Sequence, residues 1–152
     1  MRVWWWSFML VALTGCAAAP TRADADATAI RATLEQWRQD FNARRGARIC
    51  ELFAPELRAD FQGMPELGHA AVCARLRKAM AEPAGSLQLA LRIQDVMVSG
   101  AQAVVRLTWT STETAPNGKA QAEDEQGLDV FARQPDGSWK IVRYVAYPVR
   151  RE

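Results

Sequence analysis

Between Leu87 and Tyr147 the chain is written almost entirely as strands, and what precedes that stretch has to cover it. Leu87, Leu89, Leu91 and Ile93 alternate with Gln88, Ala90, Arg92 and Gln94, the period of a strand with one face in a core. Val96 and Val98 extend the pattern after an irregularity at Asp95, and Ser99-Gly100 turns the chain back. Residues 103–112 are rich in the β-branched and aromatic types that strands favour. Pro116-Asn117-Gly118 and Gln134-Pro135-Asp136-Gly137 are turn signals. Between them, residues 121–133 read as a strand that is irregular over its acidic start, Glu123-Asp124-Glu125. Residues 138–147 read as the last strand, with Trp139, Ile141, Arg143, Val145 and Tyr147 on one face and Lys140, Val142, Tyr144 and Ala146 on the other. Four such strands form an antiparallel sheet with an apolar face that another layer must bury.

The first half supplies that layer. Ile30, Leu34, Trp37 and Phe41 recur at helical spacing over residues 27–45, with Arg31, Glu35, Arg38 and Gln39 opposite them. Gly46 stops this helix, and Arg44 and Arg45 suit the dipole of its last turn. Residues 47–53 predict a short second helix presenting Ile49, Leu52 and Phe53 and ending before Pro55. Residues 57–62 read as a short strand with Leu57, Ala59 and Phe61 on one side and Arg58, Asp60 and Gln62 on the other. After a turn at Gly63-Met64-Pro65, a third helix over residues 68–81 turns Val72, Leu76 and Met80 inward. The expected fold is α+β: three N-terminal helices packed on a strongly curved, mainly antiparallel sheet that forms a cone, bent at Gly100 and Gly127, with a cavity open at one end.

Residues 1–15 have the form of a signal segment. Arg2 is the positive start, and the apolar run 3–13 falls short of the about 20 residues that span a bilayer. It runs into Leu13-Thr14-Gly15-Cys16, which resembles the bacterial lipobox, whose cysteine thiol receives the lipid. An ordinary secretory signal cut near residues 17–19 is the alternative reading. On the first reading Cys16 is lipidated, residues 16–28 form a tether, and residues 29–149 are the domain. Ala17 after the cysteine resembles the outer-membrane sorting pattern, so the protein is expected on the outer membrane facing the periplasm. In that oxidising space Cys50 and Cys73 read as a disulfide or as two buried thiols. His69 is the only histidine, so no metal cluster or cofactor is expected. A net charge of +2 with scattered basic residues gives no footprint for nucleic acid.

The order of elements and the words LFAPELRADFQG and DVFARQPDGSWKIVRY resemble the nuclear transport factor 2-like superfamily, in its SnoaL-like and ketosteroid-isomerase-like branch, over residues 27–149. The resemblance implies a cystatin-like cone. It implies too, for the isomerases of that branch, a carboxylate base with a tyrosine and a protonated aspartic acid as hydrogen-bond donors. Carried onto this chain, the base falls at or beside Asp60 and the protonated acid on Asp129, while the tyrosine position is occupied by Trp37. Asp60 reads equally as a solvated acid or a partner of Arg58 or Arg92, and Asp129 as a partner of Arg106, Arg133 or Arg143. Trp37, Phe41, Phe61, Trp109 and Phe131 are the aromatic residues expected to line the pocket, Trp139, Tyr144 and Tyr147 read as lining or as plain packing, and Glu123 to Glu125 reads as a solvated strand edge.

Two function classes follow. With the tyrosine missing, the leading expectation is a lipid-anchored, non-catalytic cone that binds a small apolar ligand or a partner. The alternative is a proton-transfer isomerase or lyase with Asp60 as base and Asp129 as donor. A homodimer through the outer sheet face, where Leu128 and Val130 lie opposite Asp129, is a further expectation.

Overall fold

The computed structural model describes residue 19, residues 21–83 and residues 86–149. The signal segment and Cys16 lie outside the described residues.

Helix α1 spans Arg22–Asn42, beginning inside the expected tether. Its start is fixed by a reciprocal cap. The Asp24 backbone N–H donates to the Thr21 hydroxyl (3.2 Å), and the Thr21 backbone N–H donates to the Asp24 carboxylate (2.9 Å). No apolar residue on this turn faces the core, so a reading based on apolar spacing starts the helix too late. Asp26, one turn on, forms an ion pair with Arg133, whose guanidinium lies 4.4 Å over the Trp139 ring. At the other end the Asn42 amide donates to the Leu89 carbonyl and accepts from the Leu89 N–H, both at 2.8 Å. A side chain thereby occupies the free edge of strand β3 (Leu87–Ser99), as a neighbouring strand would.

The expected second helix is not there. Gly46–Arg48 makes one 3-10 turn, and Phe53 already opens strand β1 (Phe53–Phe61). Ile49, Leu52 and Phe53 are buried as their spacing required, but tertiary pairing claims their backbone: Ile141 N–H donates to the Leu52 carbonyl at 2.9 Å. Pro55, read as a helix stop, lies in β1 where the pairing register slips between Phe53 and Arg58, a place where its missing N–H costs no ladder bond. Among the described residues two α-helices therefore replace the expected three. Strand β2 (Leu67–Gly68) leads into helix α2 (His69–Ala81), and β4 (Gln102–Thr114), β5 (Ala120–Arg133) and β6 (Trp139–Pro148) complete the chain.

The six strands lie in the order β2-β1-β6-β5-β4-β3. The sheet is mixed, because β1 runs parallel to β6 while the other neighbours are antiparallel. Its inner face carries Leu57, Ala59, Val105, Leu107, Phe131 and Ile141 against Ile30, Leu34 and Phe41 of α1 and Val72 of α2. The expected slip at Asp95 is present between Ile93 and Asp95. The one expected over the acidic start of β5 is absent, since β5 pairs with β4 without a break from Ala120 to Ala132. It falls on the other side of β5 instead. Val130 pairs with Arg143 and Phe131 with Ile141, so Val142 is an extra residue in β6.

That bulge corrects the face reading of β6. Trp139 and Ile141 are buried, and beyond Val142 the inward set becomes Tyr144 and Ala146, while Arg143, Val145 and Tyr147 turn outward. On the same outer face Leu128 is exposed and Val130 half-buried. Gly100, expected to bend the sheet, occupies the turn between β3 and β4 with φ 59°.

Cys50 and Cys73 form a disulfide, tying the chain after the 3-10 turn to α2. The bond closes a loop of 23 residues' separation. Replacing both cysteines by alanine is expected to cost about 3 kcal/mol, mainly through the freer unfolded chain. Urea unfolding would read this as a lower midpoint with the native fold retained; an unchanged midpoint would count against it.

Candidate functional site

A cavity of about 250 Å³ lies between the inner sheet face and the two helices. Most of its wall is apolar, with Leu34 and Trp37 from α1, Val72 and Leu76 from α2, and Trp109 from β4. Strand alternation brings the polar groups. Along the inner face of β5 come Glu125, Gly127, Asp129 and Phe131 in turn, and Glu125 and Asp129 both reach the cavity. Gly127 leaves a notch between the two acids. A Cβ on it would stand 2.9 Å from Leu107 Cδ1, in the packed core, and 3.7 Å from Asp129 Oδ1.

Asp129 is fully buried, and neither carboxyl oxygen has a hydrogen-bond partner among the described residues. The arginines that could have paired with it are elsewhere: Arg133 holds Asp26, while Arg106 and Arg143 lie on the outer face. Burial pushes its pKa well above the ordinary carboxylate value, and the nearby Glu125 charge pushes it further. An ionised carboxylate in such a place costs several kcal/mol, so the group takes up a proton and becomes a carboxylic acid with one O–H to donate.

Tyr144 is the cross-strand partner of Asp129, yet its hydroxyl donates to Glu125 Oε1 at 2.6 Å. Its side chain therefore leans along β5 past Gly127 to reach Glu125. Desolvation raises the Tyr144 pKa well above its usual value, with the Glu125 charge adding to it, which keeps the phenol protonated and donating. Its ring packs 5.3 Å from that of Phe61.

The residues expected from sequence divide sharply. Asp129 and the aromatic rings of Trp37, Phe61 and Trp109 line the cavity. Phe131 does not, and Phe41 lines only the wide outer pocket that adjoins it. Both are buried in packing, and Phe41 stacks behind Trp37 at 5.6 Å between centroids. The Trp37 indole N–H is committed to the Ile49 carbonyl at 2.8 Å, so only its ring faces the interior. Asp60 is exposed on the outer face, alternating with the inward Ala59 and Phe61 and paired across the sheet with Val145. From there its carboxylate does not reach the cavity.

Sequence reasoning missed Glu125 and left Tyr144 between cavity lining and plain packing. Glu125 shares the even spacing of Asp129 and Phe131 and could have been found by extending that alternation back through Gly127. Tyr144 could not be settled by pattern, because its inward turn depends on the bulge at Val142. Among the described residues no three His, Cys, Asp or Glu side chains stand together as metal ligands would.

The model of the SnoaL-like domain family matches residues 34–144. Among solved structures, a candidate dehydratase of the NTF2-like family from Streptomyces avermitilis shares 21% identity, with a TM-score of 0.72, over 85% of this chain and 99% of its own. An NTF2-like protein with a cystatin-like fold from Novosphingobium aromaticivorans shares 20%, with a TM-score of 0.70 and 84% of each chain covered. A candidate scytalone dehydratase from the same organism shares 16%, with a TM-score of 0.71 over 83% and 85%. No curated protein matches the sequence significantly. The likenesses show the fold, a cystatin-like cone with a mixed six-stranded sheet and two helices.

A raised pKa on Asp129 has a stability consequence of definite sign. The unfolded chain releases this proton near pH 4 while the folded chain keeps it, so the group's contribution to stability is full below that pH and declines as pH rises toward the folded pKa. Asp129→Asn removes the titration and leaves every other carboxylate in place. The melting temperature of the variant minus that of the parent is expected to rise as the pH rises above about 4, the ordinary carboxylate value. A flat difference would mean that Asp129 ionises normally in the folded protein.

Proposed function

The chain belongs to the SnoaL-like domain family, and from that premise we propose that it is an envelope protein whose cone takes up a small, largely apolar molecule bearing one hydrogen-bond-accepting oxygen. The observation that carries the reading is Asp129, a buried acid at the cavity wall with no partner of its own among the described residues. Such a group is stable as a donor awaiting an acceptor, and the apolar wall around it selects what carries that acceptor. Arg2, the apolar run and Leu13-Thr14-Gly15-Cys16 support anchoring by lipid on Cys16, on the outer membrane facing the periplasm. With α1 capped at Thr21, little chain separates that anchor from the cone, which would hold the cavity near the membrane surface.

A ligand pair of equal shape tests the reading. 2-Tetralone and the hydrocarbon tetralin differ at one oxygen, and calorimetric titration of the full chain in detergent measures both. The ketone is expected to bind about tenfold more tightly, the worth of one hydrogen bond to a buried donor. Asp129→Leu should abolish the difference, while Asp129→Asn, which keeps a donor, should preserve part of it. Equal affinity of the parent protein for the two compounds would contradict the proposal.

A further inference from the structure

We infer that the Cys50–Cys73 disulfide is a reactive site: it exchanges with the dithiol of a partner protein, and its reduction releases helix α2 from the wall of the cavity. The two sulfurs have unequal surroundings. Cys50 is half-buried, whereas Cys73 is 1% exposed. His69, one turn before Cys73 on α2, holds its ring beside the inner sulfur, with Nε2 3.7 Å and Nδ1 4.0 Å from Sγ. A nucleophile therefore reaches Cys50, and the sulfur that leaves is the one with a proton donor next to it. A thiolate stabilised in this way is the better leaving group.

The bond also joins a fixed corner to a lightly held helix. On the Cys50 side, the Phe53 N–H donates to the Cys50 carbonyl at 3.2 Å, and the Trp37 indole N–H donates to the Ile49 carbonyl at 2.8 Å. On the other side, among the described residues, the side-chain hydrogen bonds of α2 stay within the helix or reach only Met64 of the preceding loop. None of the described ion pairs includes an α2 residue. Helix α2 is held by the two-residue pairing of β2 with β1 before it, by Arg44 donating to the Pro83 carbonyl after it (3.3 Å), by apolar packing of Val72 and Leu76, and by the disulfide. Val72 and Leu76 line both the inner cavity and the wide outer pocket that forms its vestibule, so α2 is the partition between them.

The exchange balances with the dithiol as reductant. A thiolate of the partner attacks Cys50 Sγ, the S–S bond breaks, and its electron pair leaves on Cys73 Sγ, which takes a proton from the charged form of the His69 ring. The partner's second thiolate attacks the partner's own sulfur in the mixed disulfide, and Cys50 leaves and takes a proton from water. Two electrons and two protons pass in all, and the dithiol becomes a disulfide. Without the bond the cavity loses a fixed wall and lets its ligand go. That last consequence rests on the binding reading above; the exchange and the loosening of α2 do not.

Glutathione and dithiothreitol are the probes, with the full chain in detergent under native conditions. After brief exposure to glutathione, alkylation and peptide mapping should find the adduct on Cys50 and the alkylated thiol on Cys73. His69→Gln should slow reduction by dithiothreitol about tenfold without moving the melting temperature of the oxidised protein, and His69→Lys, which keeps a cation there, should recover part of the rate. Hydrogen exchange of the reduced protein should show residues 69–81 losing protection by about tenfold or more while β4 and β5 keep theirs. Affinity for 2-tetralone should fall about fivefold or more on reduction. A bond reduced only when urea unfolds the protein would be purely structural and would overturn the proposal. An adduct on Cys73, or an unchanged rate in His69→Gln, would overturn the assigned direction of attack. Unchanged protection of residues 69–81 after reduction would overturn the release of α2. Failure of the oxidised protein to bind 2-tetralone would overturn the binding reading alone, since protection reads the helix without any ligand.

Discussion

The extra residue at Val142 is the constraint on which the interior depends. Without it, strict alternation from Trp139 and Ile141 would turn Arg143 and Val145 into the core and Tyr144 out of it. With it, β6 keeps a buried tryptophan and isoleucine at one end and offers Tyr144 and Ala146 to the interior at the other. The same strand is also the parallel partner of β1, whose register slips over the stretch facing Val142. The two irregularities let one strand serve both neighbours while the sheet bends around the helices.

The cavity that results is apolar except for Ser111 on β4, Tyr144 on β6 and the two acids of β5. Asp129 sits where, among the described residues, neither a cation nor a backbone donor reaches it, and the cost of a charge there is avoided by keeping the proton. Glu125, four residues earlier on the same face, opens toward the vestibule and has the Tyr144 hydroxyl to hold it. Two carboxyl groups on one strand thus meet opposite environments, one dry and unpartnered, the other wetter and hydrogen-bonded. Differences of that kind separate acid from base in proton-transfer sites. At Gly127 a Cβ would stand 2.9 Å from Leu107 Cδ1, so a side chain between the two acids would require Leu107 to shift.

Much of this was legible beforehand. Helix α2, the four long strands, the turns at Gly118 and Gly137, and the slip at Asp95 follow from apolar spacing and turn chemistry. The inward placement of Asp129 beside Phe131 follows from alternation alone. The failures have a common origin, in that local pattern does not report which strand claims a backbone. Residues 47–53 have helical spacing, but Leu52 is hydrogen-bonded by Ile141 from the far end of the chain. Asp60 lies where the β1 alternation put it, on the side opposite Ala59, and the family pattern that suggested a base there does not transfer to this strand face. Tyr144 was read as one side of a regular strand that is not regular.

The central claim is that Asp129 is a neutral carboxylic acid at the pH at which the protein works. Carboxyl-carbon NMR of aspartate-labelled protein, with Asp129→Asn to assign the resonance, tests it most directly. The account predicts a signal that stays at the protonated position well above the pH at which an ordinary aspartate ionises. A resonance titrating near the ordinary value of about 3.9 would contradict it and remove the donor on which the proposed binding stands.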